Sequence, residues 1–331
     1  MFRVMGMTDA AIEPGRRARA IATELGDTEL AASSNYFLGM AYTSRGEWAD
    51  AEASYRAALM PLDGDVTPER ILTLHRFQSG VRAWLGWALS SRGEFAEALA
   101  LAQLAVRISQ INEAKALEAS HLCLLGIVWL DLGDAAEAIP ILESALDISR
   151  AYDVRDWSGI AAMLLGRAYA LVGRTAEAIA NLEAGAAHCE AIKQMTNYPA
   201  RLATLGEAYW LGGRRDDAEK TARRAWALAT EQGRRADHAV CLHVLGRIAA
   251  SADAPDVAAA EKFFTESRDL AASLGMRPLF AHCHLDLARL YRAAGRPDDA
   301  DAQFTRGTTM YRDMDMRIWL EKAKAEFAAD R

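Results

Sequence analysis

The chain carries none of the short motifs that mark common catalysts. No G-x-x-x-x-G-K-S/T phosphate loop occurs in its 331 residues; the run from Gly213 to Thr221 comes near and lacks the second glycine. G-x-G-x-x-G, G-x-S-x-G and H-E-x-x-H are missing too, so no local signature of dinucleotide binding, serine hydrolysis or zinc proteolysis is present. Cysteine is scarce. Cys123, Cys189, Cys241 and Cys283 stand far apart, which fits reduced thiols and not a disulfide framework. There is no low-complexity tract, no apolar stretch approaches a membrane span, and Met1 to Met7 is too short for a secretory signal. A cytoplasmic protein without membrane contact is expected. Positive charge is short as well: the formal net charge is −7, and no Lys/Arg stripe is interleaved with aromatics, so nucleic acid is not an expected partner. Arg16-Arg17, Arg214-Arg215 and Arg234-Arg235 fall at turns and read as solvated helix ends.

What the chain does have is a period. A Leu-Gly or Leu-Ala pair recurs with its small residue at Gly39, Gly86, Gly126, Gly166, Gly206, Gly246 and Ala288, spaced by 47, 40, 40, 40, 40 and 42 residues. Three residues on comes a large side chain (Tyr42, Leu89, Trp129, Tyr169, Tyr209, Tyr291). Seven on comes a glycine (Gly46, Gly93, Gly133, Gly173, Gly213, Gly295), and twelve on an alanine (Ala51, Ala98, Ala138, Ala178, Ala218, Ala300). Sixteen on stands Tyr55, Ala102, Leu142, Leu182, Ala222 or Phe304. A small residue lets two helices approach, the glycine ends the first helix in a left-handed cap, and the alanine keeps the crossing tight. A fixed period in this range means stacked supersecondary units.

These positions resemble the tetratricopeptide repeat in six units, with a seventh, around Gly246, distorted. The resemblance implies an all-α, right-handed superhelical solenoid of helix pairs, here with a period of 40 residues where about 34 is usual. The surplus, in segments such as Ala151 to Trp157 and Gln232 to His238, reads as an extra turn shared between neighbouring helices. Met60 to Pro68, with two prolines and Gly-Asp, reads as a loop, and Ser251 to Asp256 replaces the turn glycine of the sixth unit.

Three divisions are expected: residues 1–30 as a partial repeat or cap, 31–313 as seven repeats, and 314–331 as an amphipathic capping helix. The segment from Pro14 to Asp27 reads as a second helix without its first, so the chain is either capped there or a fragment of something longer. Segments such as Gly275 to Leu285, Thr308 to Leu320, Trp84 to Trp87 and Pro255 to Val257 resemble the C-terminal repeat regions of bacterial signalling proteins. Those proteins place the repeats after an AAA-type ATPase and a nucleotide-cyclase or DNA-binding output domain. The resemblance implies a regulatory or sensing role.

Cys241 and Cys283 occupy equivalent places on successive first helices, near His238, His243, His282 and His284. Zinc would suit these ligand types, but contiguous residues on a helix diverge, so core packing is the expected role; neither a metal nor a cofactor is expected. In repeats of this kind first helices line the concave face. The phase then selects Tyr36, Met40, Trp87, Ile127, Met163, Arg167, Glu207, Trp210, His243, Arg247 and Arg289 as the ligand-binding wall. Trp87 and Trp210 are the expected anchors. Arg167 and Arg247 suit a carboxylate, with Glu207 between them setting their orientation. The opposing reading is that the apolar side chains are buried by winding and the arginines pair with acids.

The function expected is a non-enzymatic module binding a protein or peptide. Alternatives are a receptor gripping a small molecule, or an enzyme whose site is assembled in the same groove. A homodimer stays open.

Overall fold

Left-handed residues punctuate most of the repeats twice and so cut the chain into successive helices. Gly46, Gly93, Gly133, Gly173, Gly213 and Gly295 all have φ between 70° and 89° and close the first helices. The second helices close on another set, Glu113, Asp153, Lys193, Gly233, Gly275 and Asp315, also at positive φ. Only two of that second set are glycine, so its period is invisible in the sequence.

The computed structural model describes residues 9–59, 68–251 and 256–329. Among them it contains sixteen helices and no strand. In chain order these are α1 (Asp9–Leu25), α2 (Thr28–Arg45), α3 (Trp48–Ala58), α4 (Pro68–Arg92), α5 (Phe95–Ile111), α6 (Lys115–Leu132), α7 (Ala135–Ala151) and α8 (Arg155–Leu171). The remainder are α9 (Thr175–Ala191), α10 (Tyr198–Leu211), α11 (Arg215–Glu231), α12 (Arg235–Ala250), α13 (Val257–Leu274), α14 (Arg277–Ala293), α15 (Pro297–Asp313) and α16 (Arg317–Ala329). The surplus residues lengthen the helices as expected: α7 runs to Ala151 and α8 begins at Arg155, with only Tyr152 to Val154 between. The loop expected from Met60 to Pro68 lies outside the described residues except for Pro68, which opens α4, and most of the Ser251 to Asp256 segment also lies outside them. Asp256 still caps α13, accepting from the Ala259 amide at 2.9 Å.

The two helices of a pair are buried differently. First helices are sandwiched: in α6 every residue from Glu118 to Val128 is buried. Second helices bury one stripe, which in α7 is Ala135, Ala138, Leu142, Ala145, Leu146 and Ser149. The small residue sits at the contact between them. A Cβ on Gly166 would lie 2.6 Å from Leu182 Cγ and 2.9 Å from the Ala178 carbonyl oxygen. In the sixth pair the contact residue is Phe264, whose ring would be 2.6 Å from a Cβ on Gly246. Helix α1 packs on α2, with Leu38 against Gly15 and the Arg16 Nε donating to the Tyr42 hydroxyl at 3.0 Å.

The superhelix closes on itself. The turn after α2 abuts Ala236 at the start of α12, and the turn after α4 abuts Arg277 and Met314. The turn after α6 receives Trp319 of α16, whose indole N–H donates to the Asp131 carbonyl at 3.1 Å across 188 positions of sequence. Arg277 also faces Glu94 at 3.5 Å. The last helix therefore does more than cap a stack; it seals a seam against the first half of the coil. Among the described residues no helix is long and apolar enough to cross a membrane.

Candidate functional site

Closure encloses a cavity of about 1110 Å³ on the axis of the coil. Its wall is the row of residues immediately after each small residue, Trp87, Ile127, Arg167, Glu207, Arg247 and Arg289, with Met163 and His243 from the turn before. These eight of the residues selected by phase come together. Three do not. Met40, the member of that row in the first repeat, is buried in the core, and Tyr36 packs among Phe37, Tyr55 and Phe77. Trp210 lies off the lining, with Arg215 6.0 Å from its ring. The row reaches the cavity from the second repeat onward, and the rows beside it contribute only in part, because the face turned to the axis is narrower than the face turned inward.

Other lining residues escape the repeat pattern altogether. Trp319, Lys322 and Glu326 reach the cavity from α16, and Trp48 from the second helix of the first pair. They arrive because the coil closes, a long-range event with no periodic signal. Asp131, Asn197, Arg201, Asp237, His282 and Asp286 add to the polar part of the wall.

The charges on this wall are mostly paired. Arg167 donates to Asp131 at 3.0 Å, and Asp131 also accepts from the Ser90 hydroxyl at 3.0 Å. Arg247 pairs with Glu207, so Glu207 orients one of the two arginines and not both. Arg289 bridges Asp286 and Glu326, while His243 Nε2 meets Asp286 at 2.6 Å. Burial alone would raise the Asp286 carboxyl, but the His243 hydrogen bond and the charges of Arg289 and Arg247 outweigh it and hold it well below the usual range. Desolvation, then the neighbouring His243, pushes His282 down to about 3, and its Nδ1 is bonded to the Tyr311 hydroxyl. The two shifts favour an ionised Asp286 and a neutral His282.

Trp87 is spent largely on packing. It lies edge-on to Trp48 at 5.8 Å and beside Trp84 at 5.4 Å, and Trp84 continues to Trp157 at 6.3 Å. A side pocket of about 40 Å³ under Trp84, Trp87 and Trp157 opens beside Arg201. The cysteines and histidines whose chemistry would suit zinc have other company. Cys283 donates to Ser267 Oγ at 3.3 Å, His238 accepts from the Trp226 indole at 2.8 Å, and His284 bonds Gln303. Two basic pairs depart from expectation: Arg16 and Arg17 lie inside α1 and not at a turn, and Arg234 is not a solvated helix end but is 1% exposed. The Asp237 carboxylate, 2.7 Å from its Nε, draws it inward.

Tetratricopeptide-repeat models match residues 36–67, 85–111, 116–191, 199–224 and 285–331. No curated protein matches the sequence. Among solved structures, a Rap protein complexed with competence and sporulation factor superposes with a TM-score of 0.67 at 16% identity, over 86% of this chain and 76% of that one. A Rap conjugation gene regulator of a plasmid, in complex with a peptide, gives 0.66 at 12% identity over 90% and 78%. Aspartyl phosphate phosphatase F from Bacillus subtilis gives 0.56 at 17% identity over 88% and 73%. At such identities the likeness is one of fold.

Proposed function

Because the chain belongs to the tetratricopeptide-repeat family, we propose that it is a regulatory sensing module that holds a short extended peptide inside its closed superhelix. The observation that carries this reading is the cavity itself, about 1110 Å³ and walled by the inner rows of successive first helices. Its size lies at or above the upper end of ordinary small-molecule pockets. Its polar groups alternate in sign along the wall, from Asp131 and Arg167 to Glu207 and Arg247, then Asp286 and Arg289. Donors and acceptors spaced in this way suit a polyamide backbone, whereas a metabolite needs only a few convergent groups. The peptide and the factor held by the two similar Rap structures support the same direction. The pairing of Asp286 with His243 and Arg289, and of His282 with Tyr311, supports a wall whose groups are held in fixed positions around a ligand.

The seam favours a second reading, a small molecule enclosed as the coil closes. Affinity-selection mass spectrometry of the full chain with degenerate pentapeptide and metabolite mixtures separates the two. The peptide reading expects retention of peptides of about five residues, roughly 17 Å when extended, and at least a five-fold loss of retention in Arg167→Ala. Retention of metabolites alone would overturn it.

A further inference from the structure

Arg201 stands in the cavity wall with no carboxylate bonded to it among the described residues. Arg167, Arg247 and Arg289 each face an acid. Arg201, on α10, lines both the main cavity and the tryptophan side pocket, and its hydrogen bond goes to the neutral Thr196 carbonyl. The acid it feels is Asp237, which is 2% exposed and already committed. One Asp237 oxygen takes the Arg234 Nε at 2.7 Å and the other takes the Asn197 amide at 3.3 Å. Arg234 is itself 1% exposed, and neither its Nη1 nor its Nη2 has a hydrogen-bond partner among the described residues.

Two guanidinium groups share one carboxylate, and the acid on the side pocket, Asp156, is exposed and bonded to neither of them among the described residues, which leaves a single uncompensated positive charge beside the axis. Buried charges are normally paired, because an unpartnered ionic donor away from water forfeits its hydration and gains nothing in return. Arg234 cannot reach solvent to recover it. Asn197 and Asp237 both line the cavity, so the charged group stands directly behind its surface. A planar guanidinium facing an enclosed space is a bidentate site for a carboxylate.

We propose that Arg201, backed by Arg234 across Asp237, is an anion subsite of the cavity that takes a carboxylate of the ligand. The proposal rests on the binding role given above and adds the chemistry one end or side chain of the ligand must have. A carboxylate there completes the charge balance: two guanidinium groups, Asp237 and the ligand sum to zero. Arg201 contributes binding through its remaining donors, and Arg234 acts through the shared field.

The test uses the purified full chain with two kinds of probe. In the first arm, succinate and its dimethyl ester are titrated at constant ionic strength while the melting temperature is followed. Succinate is expected to raise the melting temperature and the ester is not, and Arg201→Met abolishes the succinate effect. Arg201→Met without ligand should melt no lower than the parent, since it removes an uncompensated charge; a fall of several degrees would make Arg201 a structural residue and overturn the proposal. Asp237→Asn should tighten succinate binding at least three-fold. In the second arm, degenerate pentapeptides are offered with and without acidic side chains, each with a free or amidated C-terminus. Retention should fall at least ten-fold when no carboxylate remains, and which pool survives identifies the source as the terminus or a side chain. Equal retention of the carboxylate-free pool overturns the subsite and leaves the peptide reading standing. Succinate binding through Arg201 with no peptide retained overturns the peptide reading and leaves the subsite standing. If neither probe binds, both fall.

Discussion

The turns of the first three helix pairs and those of the fourth, fifth and seventh use the same glycine at the same place, yet they meet different surroundings. Gly46, Gly93 and Gly133 each have a neighbour from the far half of the coil where a Cβ would stand: Ala236, Met314 and Trp319. Gly173, Gly213 and Gly295 have nothing within 4 Å of that point. All six need the left-handed conformation, which glycine adopts without steric penalty. Only the first three also need the absence of a side chain. A repeat motif thus encodes its local cap everywhere and a tertiary contact in half of its copies, and the motif alone does not say which half.

Substitutions that separate these two demands sharpen the contrast. The largest effect is expected where glycine is enclosed within a pair, which sets the scale for the turns. Gly166→Leu would drive its side chain into Leu182 and the Ala178 carbonyl, and should destabilise by about 3 kcal/mol, the upper end for overpacking. An unchanged denaturation midpoint would remove the helix-pair contact from the argument.

Asparagine tolerates the left-handed region, so it isolates the contact from the cap. Gly133→Asn should lower stability by about 1–2 kcal/mol, because its Cβ would lie 2.6 Å from the Trp319 indole nitrogen, and small-angle scattering should show an expanded chain. Gly173→Asn should change stability by less than about 0.5 kcal/mol and leave the dimensions unaltered. Equal losses at the two positions would erase the distinction drawn between them.

A smaller effect follows from two histidines, one in each half. Burial lowers His121 to about 4 and His282 to about 3. An unfolded histidine takes its proton near pH 6.5, so below that value the unfolded chain holds more protons than the folded one. The stability these groups contribute is complete above about pH 6.5 and is lost as pH falls towards their folded values, by about 1 kcal/mol each at about pH 5.5. His121 donates its Nδ1–H within α5–α6 packing, to the Ala105 carbonyl at 3.1 Å, while His282 lies 4.8 Å from Trp319 at the seam. His121→Asn and His282→Asn should each flatten the melting-temperature profile between pH 7.5 and about pH 5.5, and only in chains retaining His282 should acid also expand the molecule.

The elements legible in the sequence are those fixed within one repeat. Leu38-Gly39 and its successors announce the helix contacts, the turn glycines announce the ends of the first helices, and the residue after each small residue finds the cavity row from Trp87 to Arg289. What is illegible depends on residues far apart. Trp319 and Glu326 enter the site only because the coil closes, and Arg234 looks like a surface cation because its partner Asp237 faces inward from the following helix. Tyr36, Met40 and Trp210 share the phase of the wall but are claimed by aromatic neighbours, the core and Arg215. Helical phase gives a direction, not what occupies it.

The bond from Trp319 to the Asp131 carbonyl has a consequence for how the molecule comes apart. In an open array each repeat touches only its neighbours, so melting can begin at either end and creep inward one unit at a time. A link across 188 positions turns the row into a ring, and with the turns after α2 and α4 seated on Ala236 and Met314 neither end can fray without breaking a contact to the far half. Disassembly should then be all-or-none, with fluorescence and far-ultraviolet dichroism reporting the same midpoint, and cutting the seam should restore gradual unravelling to a chain whose every local contact is unchanged.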